Sequence, residues 1–308
     1  MTRAQPDLIV AAADGSESRP SARSRPAAAV LLFAILLAAL YGSVLREIAA
    51  QWWDDANYSH GFLVPVFSGY LVWRSRRTLR ALPVRGSAAG LAVMSTGIAM
   101  LLLGDIAGEL FLMRSSLVVI VAGLVLFHLG RAWLRTLAFP LGFLFFMIPL
   151  PATIFYAVAF PLQNVAAQNA VWLLDLIGVP VLRDGNVIHL SQITLGVTEA
   201  CSGIRSLISL LALAVAWGYL TLGRPWAIAA LAVSAVPITI AANAGRIVAT
   251  GLISLWLGPS YAQGFFHAFS GWLIFVFALA CLAAVHGLLE LARRRRAARE
   301  QARVGGVA

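Results

Sequence analysis

The segment Thr198-Glu199-Ala200-Cys201-Ser202-Gly203-Ile204-Arg205-Ser206 opens directly into an apolar run, Leu207 to Leu222. A carboxylate, a thiol and a guanidinium thus crowd the mouth of a membrane-helix pattern. Ionisable groups are costly there and mark function by default. A thiol acts as a nucleophile in its thiolate form, which a helix N-terminus and nearby cations favour. Ser202 is placed to cap the helix. Arg205, four residues after Cys201, projects near the same helix face. An isolated cysteine here would read as a small buried residue; Glu199 and Arg205 beside it favour nucleophilic chemistry.

Two further groups belong with it. Arg246 stands in Asn243-Ala244-Gly245-Arg246, toward one end of an otherwise apolar span. It either snorkels to the headgroups or is a fixed cation for a developing oxyanion or a substrate carboxylate. Asn243 would orient it or cap the helix. His267 opens the last apolar span in Phe265-Phe266-His267-Ala268-Phe269-Ser270-Gly271. Alone it would be structural; beside a cysteine it is a candidate general acid and base. His60 and His189 are rivals on the same side. His60, His189, His267, Asp54 and Asp55 could hold a metal in principle, but no His-Glu-x-x-His or Cys-x-x-Cys spacing supports one. No metal and no cofactor are expected, and there is no phosphate loop or dinucleotide fingerprint.

The composition says what must position these residues. The 308-residue chain is 60% hydrophobic and 12% charged, against about 25% charged in a soluble domain. The fold class is an all-α polytopic membrane protein. The formal charge of +10 comes from arginines in short clusters between apolar runs, without a basic groove, so nucleic acid is excluded as a partner. Cys281 lies 14 residues past His267, roughly 21 Å along a helix. That is too far for a disulfide with Cys201, which needs Cα atoms within about 7 Å.

Residues 1–26 read as a disordered cytoplasmic tail, 27–292 as one transmembrane catalytic domain and 293–308 as a basic cytoplasmic tail. About eight spans are expected: Ala27–Leu40, Phe62–Trp73, Gly86–Gly104, Leu110–Gly130, a fifth ending near Leu150, Gly203–Leu222, Pro225–Thr250 and Phe265–Leu291. Residues 152–178 carry Gln163, Asn164, Gln168, Asn169 and Asp175 at helix-like spacing. They read as an interfacial helix, a re-entrant pair or a true span. Residues 179–197 alternate and carry the turn signal Asp184-Gly185-Asn186, which predicts a short extracytoplasmic β-hairpin. With eight spans and both termini cytoplasmic, 18 of the 23 arginines lie inside, as the positive-inside rule requires. Cys201, Arg246 and His267 then share the outer face.

Three motifs at these positions resemble the exosortase family of Gram-negative membrane transpeptidases, related to the archaeosortases: Glu199 to Ser206, Asn243 to Arg246, and His267 to Gly271. Tyr58-Ser59-His60-Gly61-Phe62-Leu63-Val64-Pro65 resembles that family's N-terminal signature. The likeness spans roughly residues 45–290. It implies Cys201 as nucleophile with Arg246 and His267 completing a triad, His267 acting as acid and base or as a cation. Glu199, Ser202, Arg205, Asn243 and His60 would support the site or bind substrate. The implied partners are the C-terminal PEP-CTERM-type sorting signal of secreted proteins, membrane lipids and a cell-surface acceptor whose identity the sequence does not give. The implied location is the bacterial inner membrane, with the site facing the periplasm. The competing readings are an intramembrane cysteine protease that only hydrolyses, and a non-enzymatic transporter.

Overall fold

An apolar run in lipid must satisfy its backbone internally, and a helix does so within one segment. The computed structural model describes residues 24–191, 193–196, 203–258 and 265–305. The chain divides into two units, Met1–Leu45 and Arg46–Ala308. Helix α1 (Ser24–Asp54) starts in the first and ends in the second.

In the second unit, α2 (Leu63–Arg74) and the short α3 (Arg76–Ala81) precede a tight helical pair, α4 (Ala89–Ala107) and α5 (Leu110–His128). Gly90, Gly97 and Gly104 recur every seven residues on α4. A Cβ at these positions would overlap Phe127, Ile120 and Met113 of α5. Small residues at this period let two membrane helices approach to backbone contact. Glu109 caps α5, its Oε2 accepting from Leu112 N–H at 3.3 Å.

Helix α6 (Arg131–Phe143) runs into a 3-10 turn, Leu144–Met147, and α7 (Ala152–Leu176) follows. The break carries Pro149 and Pro151, and the axis bends there by 78°. Trp52 Nε1 donates to the Met147 carbonyl at 2.9 Å, which pins the bend, and Ser68 Oγ donates to the Pro140 carbonyl within α6 at 3.0 Å. Most of the 152–178 segment, Ala152–Leu176, therefore forms a 25-residue helix bent away from its predecessor.

The expected hairpin is present and gains a third strand: β1 (Val181–Asp184), β2 (Val187–Leu190) and β3 (Thr194–Gly196), antiparallel in the order β1-β2-β3. Asp184 pairs with Val187 across a two-residue turn, with Gly185 at φ 61°. The polar residues of α7 serve this sheet. Arg183 Nη1 donates to both Asn164 oxygens at 3.2 Å, and Asn186 reaches Gln163 Oε1 at 3.4 Å. Ala166, Ala167 and Ala170 pack with Ile188 and Ile247 beneath it.

The last three helices are α8 (Ile204–Thr221), α9 (Pro225–Leu257) and α10 (Phe265–Gly305). Leu207, Leu210, Ala214, Leu231, Ala235, Ala278 and Leu282 form their shared core. Arg293 Nη1 donates to the Leu222 carbonyl at 3.1 Å, placing a cation at the C-terminal end of α8. Helix α10 extends as far as Gly305, into the 293–308 segment expected as a basic tail.

The protein is a helical polytopic membrane protein. The described residues hold six helices long and apolar enough to cross a membrane, or seven if the bent α6–α7 pair is one span, where eight spans were expected. The shortfall lies in α2 and α6, of 12 and 13 residues. At 1.5 Å per residue these reach about 18–20 Å, short of a hydrocarbon core of about 30 Å.

Candidate active site

Helix α8 begins at Gly203, whose φ of 74° is left-handed. The Gly203 carbonyl accepts from Leu207 N–H at 2.8 Å and starts the helix. A side chain is disfavoured here twice over. Left-handed backbone disfavours a Cβ, and a Cβ would stand 3.2 Å from Thr239 Cγ2 and 3.3 Å from Asn243 Cβ. The entry of α8 is thus pressed against the middle of α9.

That contact heads a cavity of about 470 Å³ between α8, α9 and α10, within the range of ligand-binding clefts. Helix α8 contributes Arg205, Ser206 and Ser209. Helix α9 contributes Thr239, Asn243 and Arg246, at i, i+4 and i+7 and so on one face. Helix α10 contributes Gly271, Trp272 and Phe275, and Ser59 closes one side. Asn243 is 4% exposed and Thr239 2%. Arg246 is half-buried and Arg205 exposed. Two guanidiniums and no carboxylate line the cavity among the described residues. A site with fixed cations, shielded by apolar helices, suits an acyl group whose oxygen gains negative charge.

The loop after α1 supplies the second wall. Asn57 N–H donates to Asp55 Oδ1 at 2.8 Å, and Ser59 Oγ to the Ala56 carbonyl at 3.1 Å, folding residues 55–59 into a turn. From that turn Asn57 Oδ1 accepts from Arg205 Nε at 3.2 Å. His60 faces away, its Nε2 lying 3.2 Å from the Phe146 carbonyl. The neighbouring Tyr58 phenol is raised from 10.0, chiefly by burial. His189 pairs with Thr194 across β2 and β3 at 3.1 Å.

Of the residues singled out by sequence, Arg205, Asn243 and Arg246 share the cavity and His60 does not line it. Glu199, Cys201 and Ser202 lie outside the described residues, as does the side chain of His267. The His267 backbone forms part of the first turn of α10, one turn before the cavity-lining Gly271. Arg246 lies deeper in its helix than the sequence implied, because α9 continues past Thr250 to Leu257. The reading of the sequence missed Asn57, Ser206, Ser209, Thr239 and Trp272. Helical spacing from Arg246 and Arg205 was the available signal for Thr239 and Ser209.

Among the described residues, then, the protein is a polytopic helical one with two guanidiniums in a cavity between three membrane helices. Residues 52–284 match the model of the transmembrane exosortase family, a span that includes every residue of the cavity wall named above. The chain belongs to the transmembrane exosortase family, whose members are membrane sorting transpeptidases of the cysteine type. Comparison with curated proteins and with solved structures gives no match.

Proposed function

We propose that the protein is a cysteine transpeptidase of the bacterial inner membrane that cuts C-terminal PEP-CTERM-type sorting signals from exported proteins and joins the product to a cell-surface acceptor. The observation that carries this reading is the seating of Gly203 on Asn243, one helical turn before Arg246. Cys201 is two peptide units from Gly203, a chain length of at most about 7 Å.

The Cys201 thiolate attacks the scissile carbonyl carbon. Arg246 stabilises the oxyanion of the tetrahedral intermediate. The C–N bond breaks as His267 delivers a proton to the leaving amine, and a thioester remains. An acceptor amine or hydroxyl then attacks the thioester carbon and gives up its proton to His267, the C–S bond breaks and the thiolate returns. Arg205 and Asn243 hold the peptide and the Arg246 guanidinium, while Glu199 and Ser202 order the approach to the helix.

Eight crossings complete the topology in this reading, with α2 and α6 spanning together with the 3-10 turns beside them, Ser59–Phe62 and Leu144–Met147. Helix α7 lies along the periplasmic face, and both termini are cytoplasmic. The arginine distribution supports this orientation.

Hydroxylamine tests the thioester. Added to membranes with a tail-bearing substrate, it should divert the acyl group to a C-terminal hydroxamate visible by mass spectrometry. The hydroxamate should vanish in Cys201→Ala. Its absence from the wild-type reaction, with cleavage intact, would exclude a thioester.

A further inference from the structure

Thr239 holds a hydroxyl that packing does not explain. The residue is 2% exposed, and its buried Oγ1 has no hydrogen-bond partner among the described residues. A threonine inside an apolar helix ordinarily satisfies its hydroxyl on the carbonyl four residues back. Thr96, Thr136 and Thr221 do so in this protein, at 2.9, 3.0 and 2.8 Å. Thr239 is buried more deeply than any of them yet leaves that bond unmade.

The environment accounts for the methyl group alone. Cγ2 faces Gly203, 3.2 Å from the position a Cβ would take there. Valine would supply the same contact without burying an unpaired hydroxyl, which is unfavourable. Thr239 also lines the cavity on the α9 face that carries Asn243 and Arg246. Proline at 237 keeps the helix ladder thin just before it, since Pro237 has no N–H for the Val233 carbonyl.

We propose that the Thr239 hydroxyl is a catalytic hydrogen-bond donor to the carbonyl oxygen of the scissile peptide, acting beside Arg246. The inference rests on the transpeptidase reading above and adds a residue to it. No bond is made or broken at Thr239. Its O–H donates to an oxygen that gains charge as the thiolate adds, and so binds the tetrahedral state more tightly than the planar carbonyl.

The test compares Thr239→Val, Thr239→Ser and Cys201→Ala in membranes containing the full chain and a tail-bearing substrate. Valine keeps the methyl contact and loses the donor; serine does the reverse. A donor role predicts that valine lowers kcat on the order of 10²-fold. KM should stay within about threefold, and the thermal midpoint should be unchanged or higher. Serine should retain most of kcat. Wild-type kcat in Thr239→Val, or serine impaired as much as valine, would overturn the assignment while Cys201→Ala, if inactive, leaves the transpeptidase reading standing. Continued processing by Cys201→Ala would remove that reading and the Thr239 role with it.

Discussion

Arg205 Nε donates to Asn57 Oδ1 at 3.2 Å, tying the first turn of α8 to the loop after α1 across 148 residues of chain. The bond holds the guanidinium against the cavity while leaving its other nitrogens available to a ligand. Arg205 is exposed, so the bond contributes little to stability and its effect should fall on the site. Asn57→Ala should lower turnover roughly fivefold, the equivalent of about 1 kcal/mol. The thermal midpoint should hold. Arg205→Lys should behave alike, since it keeps the charge and loses the planar Nε donor. Rates from membranes at saturating substrate, set beside melting curves, check both.

Gly203 and Gly245 make a matched pair. Alanine at 203 meets left-handed backbone and contacts of 3.2–3.3 Å on α9. It should destabilise by about 1–2 kcal/mol and impair activity further by shifting the start of α8. Alanine at 245, within α9, meets nothing within 4 Å. It should leave activity intact and raise stability by about 0.5–1 kcal/mol. The expected pattern is a lower midpoint with lower activity for Gly203→Ala, and a higher midpoint with unchanged activity for Gly245→Ala.

Arg246 should be hard to replace. Removing one preorganised oxyanion donor costs about 10²–10³ in rate, and Arg246→Ala should show a loss of that size. Arg246→Lys should recover only part, because an ammonium lacks the planar fork. Single-turnover cleavage isolates the chemical step from product release.

The polar residues inside apolar runs were legible because such groups rarely persist in lipid without a role: Arg205, Asn243 and Arg246 meet in one cavity. The turn at Asp184-Gly185-Asn186 was legible for the same local reason, its glycine at φ 61°. Less was legible where two segments decide the outcome together. The bend between α6 and α7 is held by Trp52, distant in sequence, binding the Met147 carbonyl just before the prolines. The third strand needed β2 as a template. Thr239 escaped notice because a threonine in a membrane helix normally satisfies its own hydroxyl. Only the coordinates distinguish it from Thr96, Thr136 and Thr221.

The helix lengths of two expected spans were not legible, for a different reason. Hydrophobic runs mark what lipid tolerates, whereas α-helix length depends on where the backbone ladder is interrupted. In α6 the run includes Pro140 and dissolves into a 3-10 turn before the two prolines that follow.

The most direct measurement is the mass of the new C-terminus on a tail-bearing exported protein, made in cells with either the wild-type chain or Cys201→Ala. The wild-type chain should yield a shortened product carrying an acceptor at its new end, and Cys201→Ala should leave the substrate full length. Shortened product in the Cys201→Ala cells would contradict the account at its centre. A wild-type product carrying only the elements of water would show hydrolysis in place of transfer.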